Sequence, residues 1–265
     1  MWYAFCKYYF KAHTIYQVHS PLLYDFCQHV LEDNKGINHP HLEVLKSKLK
    51  SDQRIIERKD YGSGSKNIAT TTSVAKVAQY ALSHPIVVNW LSRMMTHYQP
   101  SVFLELGTSL GLTTSYLATA HPPCRIITVE GDPAIYNIAT ENFNQLQLSI
   151  DSHLASFEEF LNRDHLDDSP PNMIFIDGHH NGSATLKYFE KLKTKMAADA
   201  IIIFDDIHWT PDMEDAWEII KKDECVSYSV DLFQIGIIFT QALNKEAEHR
   251  IIIPWKYKPW KLKLK

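Results

Sequence analysis

The chain predicts an α/β fold from about residue 85 onward: a doubly wound, mostly parallel seven-stranded sheet with a terminal antiparallel hairpin, preceded by an N-terminal helical region. Three observations carry this expectation. Short apolar runs alternate with amphipathic segments, which is the pattern of βαβ units. Four of the runs carry acids at or near their ends, namely Glu105, Glu130, Asp177, and Asp205 with Asp206. The last two runs are too closely linked for a helical crossover and read as a hairpin.

Residues 1 to 84 read as helices. A first segment runs to about Val18, and Ser20 with Pro21 supplies an N-cap and a first-turn proline for a helix through about Leu31. A third helix, HLEVLKSKLKSDQRIIERK, follows the turn at residues 34 to 40. DYGSGSKN then reads as a flexible loop able to fold over a site, because it lacks the GK[ST] ending and the preceding strand of a phosphate loop. The strands expected are SVFLEL (101–106), CRIITVE (124–130), a weak run near LSIDSHL (148–154), NMIFID (172–177), AIIIFD (200–205), VSYSVDLF and QIGIIFT. Helical segments such as TSYLATA, AIYNIATENFNQL, FEEFLNR, ATLKYFEKLKTKM and MEDAWEIIKK separate them. The sheet is therefore Rossmann-like, and three regions are expected: a helical cap or lid at 1–84, the sheet domain at 85–255, and a basic tail at 256–265.

With 265 residues, 45% of them hydrophobic, the chain can bury a full core. No apolar run approaches the roughly 18 residues of a membrane span. Lys7 and Lys11 interrupt the aromatic start, which argues against a signal peptide and for a cytoplasmic protein. Cys6, Cys27, Cys124 and Cys225 form no CxxC pair and read as reduced thiols. The net charge is -4, yet residues 256 to 265 hold five lysines and no acid, which leaves 22 basic against 31 acidic residues elsewhere. Such an acidic body does not suggest a nucleic-acid binder, and the tail reads as a solvated terminus. The sequence leaves a homodimer open.

In a doubly wound sheet, ligands bind outside the carboxyl ends of the strands at the switch point. ELGTSLGLTTSYLA is a strand, a glycine turn and a helix start, with Gly107 and Gly111 able to let backbone approach a ligand. Its G-x-x-x-G spacing is not the G-x-G-x-x-G of dinucleotide enzymes. At roughly 6 Å and an effective dielectric near 20, the Glu105 charge is worth about 3 kcal/mol, and its sign favours a cationic ligand over a pyrophosphate. Glu130 lies where such folds hold an acid for ribose hydroxyls, about 20 residues beyond the glycines. A ribose plus a positive charge points to S-adenosylmethionine.

ELGTSLGLTTSYL, TVEGDP, IFIDGHH and IIIFDDIHW, in this order, resemble the class I S-adenosylmethionine-dependent methyltransferases. The chain is most similar to the cation-dependent O-methyltransferases, such as the catechol and caffeoyl-coenzyme A enzymes, over about residues 85 to 241. The resemblance implies methyl transfer to a hydroxyl of a small-molecule acceptor. It implies that Glu105, Gly107, Thr108, Ser109, Gly111 and Thr113 hold the methionine part of the cofactor, with Asp177 nearby. Glu130, with Gly131, takes the ribose hydroxyls, and Ser156 and Phe157 line the adenine. It further implies a divalent cation, Mg²⁺, on Asp177, Asp205 and Asp206, which would explain why a strand built for a dry core ends in paired carboxylates. Asp206 stands where the family has asparagine and so adds a charge. His180 occupies the place of the catechol enzyme's general-base lysine, with His179 beside it, and a histidine can take a proton at neutral pH. Three competing readings are a nicotinamide-dependent oxidoreductase, a non-catalytic cofactor-binding module, and a metal-assisted hydrolase on Asp177, His179, Asp205 and His208. Trp209 either walls the acceptor pocket or packs on the following helix.

Overall fold

The computed structural model describes residues 2–33, 39–59, 70–80, 82–163, 166, 168–240 and 247–258. The DYGSGSKN loop and residues 259 to 265 of the basic tail lie outside the described residues. The N-terminal region opens with α1 (Trp2–Lys11), a 3-10 turn at Ile15–Gln17, and α2 (Pro21–Phe26), which runs on into a π turn at Cys27–Leu31. Pro21 takes the first helical position, but the Ser20 side chain makes no capping bond.

The third helix is shorter than its sequence suggests. α3 (Pro40–Ser51) stops where the Asp52 carboxylate accepts the backbone N–H and the Nε–H of Arg54, both at 2.9 Å. The segment beyond it forms β1 (Ile55–Glu57), paired antiparallel with β2 (Thr71–Ser73). β-branched Ile55, Ile56, Thr71 and Thr72 suit a ladder better than further helical turns. α4 (Val74–Tyr80) and α5 (Pro85–Tyr98) then lead to the sheet.

From there the expected alternation holds: β3 (Val102–Leu106), α6 (Leu112–Ala120), β4 (Arg125–Glu130), α7 (Pro133–Gln145), β5 (Asp151–Leu154), α8 (Phe157–Leu161), β6 (Met173–Ile176), α9 (Gly182–Lys193), β7 (Ile201–Asp205), α10 (Pro211–Ile220), and the hairpin of β8 (Tyr228–Asp231) and β9 (Ile235–Phe239). To these seven strands the structure adds an eighth, β10 (Glu248–Ile251), parallel to β8 at the sheet edge. The order is β10, β8, β9, β7, β6, β3, β4, β5, and β9 alone runs against its neighbours. The chain winds outward from β3 through β4 and β5, then returns to β6 on the other side of β3. The switch point therefore lies between β3 and β6, where ligands of such sheets bind.

Every residue of β3, β6 and β9 is buried, as expected of strands covered on both faces. Alternate side chains divide between two cores. Phe103, Phe175, Ile203 and Ile237 meet Phe26, Val30, Trp90 and Met94 on one face. Leu104, Ile174, Ile202 and Ile238 meet Phe160, Phe189, Leu192 and Trp217 on the other. Ile15, Val18 and the segment Leu23 to Leu31 belong to the first of these cores, so this part of the N-terminal region packs against the sheet.

The two ends of the chain meet. The Tyr8 hydroxyl donates to the Ile252 carbonyl at 2.5 Å, and His13 is held between Ile251 and Ile253 by backbone bonds of 2.8 and 2.9 Å. Lys258, expected in a solvated tail, is only 2% exposed. Its ammonium donates to the carbonyls of Tyr9, Phe10 and Ala12 at the end of α1, where terminal helix carbonyls and the helix dipole both favour a cation. Charge-assisted bonds of this kind contribute about 2 kcal/mol. Lys258→Met is expected to lower the unfolding free energy by about that amount in a denaturant titration and to speed amide exchange in residues 2–12. An unchanged midpoint would show that the ammonium carries no stability.

Candidate active site

The carboxyl ends of β3, β4, β6 and β7 converge at the switch point. Gly107 follows β3 with φ +116°, and an added Cβ would lie 1.8 Å from the Asp177 carbonyl oxygen. Only glycine lets the turn after β3 press against the end of β6. The Gly107 and Thr108 N–H groups donate to the Val129 carbonyl at 3.0 and 3.3 Å, and the Thr108 and Thr128 hydroxyls meet at 2.6 Å, which fixes the same turn to β4. At Gly111, with φ +75°, a Cβ would come within 2.7 Å of the Phe143 ring, so α6 starts in close contact with α7.

Glu130 closes β4 and faces this turn. One of its oxygens accepts the Ser109 N–H at 2.9 Å and the other the Asp132 N–H at 3.0 Å. Burial raises the Glu130 carboxyl above its ordinary range against the backbone N–H groups of Asp132, Ser109 and Gly131. Asp132 caps α7 and also accepts the Lys59 N–H at 3.0 Å. That contact brings the β1 side of the N-terminal region to the site.

Glu105 behaves otherwise than its position in the sequence suggests. It has no exposed surface, and one oxygen accepts the hydroxyls of Thr114 at 2.5 Å and Thr128 at 2.6 Å. Burial outweighs those hydroxyls and raises its pKa to about 8. At neutral pH it is a neutral acid that ties β3 to β4 and α6, and the attraction for a cation falls to the other acids.

Those acids are Asp177, Asp205 and Asp206. Asp177 follows β6 and Asp205 ends the neighbouring β7, and each carboxyl group acts on the other. Burial raises all three above the usual carboxylate range; for Asp205 the neighbouring charges of Asp177 and Asp206 add to it, while a protonated His180 would lower Asp177 and Asp206. The His180 ring stands between two of them, Nε2 3.9 Å from Asp177 and Nδ1 3.7 Å from Asp206. Ser83, to which sequence reasoning assigned no role, reaches both Thr113 at 3.0 Å and Asp177 at 3.5 Å. The three aspartates are grouped, but they do not bring one oxygen each within 4.8 Å of the others.

The remaining candidates divide. His179 turns from the acids to the Tyr188 hydroxyl, 2.9 Å away, and meets the Phe157 ring edge-on at 5.4 Å. It thus faces Tyr188 and Phe157 rather than the aspartates. A Cβ on Gly178 would strike that same Phe157 ring at 2.7 Å. The Ser156 hydroxyl oxygen accepts the Glu159 N–H as the cap of α8. His208 lies between Asp231 at 2.9 Å and Glu214 at 3.2 Å, stacked on Phe233. Burial lowers its pKa, the two carboxylates raise it, and the carboxylates prevail. This removes His208 from the acid cluster and with it the mixed ligand set of a hydrolase. Trp209 is 55% exposed rather than packed on α10. Ser109, His179, His180 and Asp206 all have positive φ, between 27° and 64°. Non-glycine residues held so cost about 1–3 kcal/mol each and gather where function fixes the backbone.

Residues 104–207, which span this whole edge, match the family model described as a methyltransferase domain. Over this stretch the chain is similar to a methyltransferase domain. Solved structures agree on the fold. An O-methyltransferase from Bacillus cereus, solved with S-adenosylhomocysteine, is 19% identical with a TM-score of 0.51, over 60% of this chain and 83% of that one. A proposed caffeoyl-CoA O-methyltransferase from Staphylococcus aureus is 15% identical with a TM-score of 0.56, over 62% and 88%. A methyltransferase from Podospora anserina bound to S-adenosylhomocysteine is 13% identical with a TM-score of 0.52, over 76% and 96%. No curated protein sequence matches the chain. The methyltransferase match begins inside β3 and ends just past Asp206, so it contains the acids and both histidines, whereas α1 to α5 lie outside it.

Within the matched stretch Glu105 gives a pH signature. Its ordinary pKa of 4.5 applies to the unfolded chain and about 8 to the folded one. The folded state therefore holds the proton more tightly. The resulting stability is full below the lower value and is lost as pH rises through the upper one. Glu105→Gln is expected to flatten the fall in melting temperature across that interval. Parallel melting curves for the two proteins would contradict the assignment.

Proposed function

We propose that this methyltransferase uses S-adenosylmethionine to methylate a hydroxyl of a small molecule, with His180 as the general base. The observation that carries the proposal is the placement of His180 between Asp177 and Asp206, at the switch point and beside the Gly107 turn. The cofactor, when bound, supplies an electrophilic methyl on a sulfonium. The residues fit it. Glu130 holds its carboxylate at the end of β4 beside the Gly107 turn, where ribose hydroxyls can donate to it, and the acids around Asp177 lack the countercharge that a sulfonium and an ammonium would bring. Phe157, with His179 on its edge, supports the adenine reading.

His180 accepts the hydroxyl proton as the oxygen takes the methyl, and Asp177 and Asp206 stabilise the imidazolium that results. Asp177, Asp205 and Asp206 would hold a divalent ion such as Mg²⁺, whose chemistry there is to bind an acceptor oxygen and lower its pKa. Their all-oxygen donor set suits that ion, although their present spacing must tighten around it. Selection of the acceptor falls to the N-terminal region. Ser83 touches Asp177, and Phe5 and Tyr8 of α1 pack on Phe233 beside His208. No helix among the described residues is long and apolar enough to cross a membrane, and a cytoplasmic setting fits four unpaired cysteines.

Calorimetric titration of S-adenosylhomocysteine, in Mg²⁺ and again in EDTA, tests the cofactor. Micromolar binding is expected, weakened about tenfold or more in Glu130→Ala, since a tenfold loss is about 1.4 kcal/mol and two hydroxyl bonds are removed. Absence of binding in both buffers would sink the proposal. For the metal, Asp205→Asn is expected to raise the melting temperature in EDTA, because it relieves like-charge repulsion, and to abolish the rise that Mg²⁺ gives the parent protein. A Mg²⁺ response that survives the substitution would place the ion elsewhere. His180→Gln is expected to lower the methylation rate of small phenols by about 100-fold or more, as loss of a general base does, with cofactor affinity unchanged.

A further inference from the structure

Far from the acids in sequence, three side chains of the N-terminal half bring their donor atoms together. Asp25 ends α2, His29 lies in the π turn, and His97 is in the last turn of α5. His29 Nδ1 is 3.0 Å from one Asp25 oxygen, and His97 Nε2 is 2.6 Å from the other. His29 Nδ1 also lies 3.0 Å from the Asp25 carbonyl. Among the described residues, this is the group whose members each bring one His, Cys or carboxylate donor atom within 4.8 Å of the rest. The two imidazole rings are stacked, 4.5 Å apart and 11° from parallel.

We propose that Asp25, His29 and His97 form a second metal site, for a divalent transition ion of the zinc class, which pins the π turn to α5. Two imidazoles and one carboxylate are a nitrogen-rich set that suits zinc and its neighbours and not Mg²⁺. Zinc bonds of about 2.0–2.1 Å in a tetrahedron hold donor atoms about 3.3 Å apart, so the nitrogen–oxygen separations here need only small side-chain adjustments. The side chains are 46%, 44% and 27% exposed for His29, Asp25 and His97, which leaves the ion open to solvent and to a water ligand. The carbonyl end of α5 adds attraction for a cation. A π turn places side chains where a regular helix would not and often marks a functional position.

The site rests on none of the cofactor reading. Full-length protein stripped by chelation is titrated calorimetrically with ZnCl₂ in excess Mg²⁺. One zinc equivalent is expected, retained in Asp205→Asn and weakened at least 30-fold in both His29→Ala and His97→Ala. His29 is half-exposed, so its variant is expected to fold, with circular dichroism as the check. Substitution by Co²⁺ gives a separate readout: visible absorption bands of a low-coordinate site, present in the parent protein and absent in His29→Ala. A parent protein that binds no zinc, or zinc binding unchanged in both histidine variants, would overturn the proposal.

Discussion

The Gly107 turn can exist only because nothing projects from its α-carbon toward the Asp177 carbonyl, 1.8 Å from where a Cβ would be. That approach joins the end of β3 to the end of β6. The rest of the edge follows from it. Asp177 donates its N–H to Leu106 at 2.9 Å, Gly107 reaches across to Val129, and the ends of three strands become one surface. A larger residue would push β6 away and carry with it Gly178, His180 and the contact to Asp205.

Into that surface the chain places more negative charge than a dry protein holds comfortably. Three of the acids, Glu105, Asp177 and Asp205, respond with carboxyl groups that burial pushes above the usual range. Glu130 instead gathers backbone N–H groups. The positive φ angles of Ser109, His179, His180 and Asp206 lie on the same loops. Unfavourable charge and unfavourable backbone gather at one edge, and the buried, largely apolar strands beneath it supply the stability that tolerates both.

The sheet was legible in the sequence because its strands are buried on both faces and read as continuous apolar runs, with amphipathic helices between them. The elements missed are those whose pairing is remote and whose side chains are half-exposed. β1 looked like the end of a helix, since its partner β2 lies well beyond it in the sequence, and polar β10 joins the edge only through β8. α5 went unassigned although seven of its side chains are buried. At the site, acid positions followed from strand ends and glycine spacing. The neutrality of Glu105, the outward turn of His179 and the capture of His208 by Asp231 and Glu214 depend on burial and partners that no local pattern records. Ser83 and the Asp25, His29 and His97 group are assembled from distant segments, and nothing near any one of them announces the others.

The joining of the chain ends has a consequence for the order of events at synthesis. α1 and His13 dock on Ile251 to Ile253 and on Lys258, about the whole length of the chain away. While the protein is being made, residues 2 to 13 therefore have no docking place until Ile251 to Lys258 have also left the ribosome. Contacts of such long sequence separation form late and slowly. The aromatic face of α1, with Phe5 and Tyr8, then stays in water until Phe233 and the stretch after β10 are made.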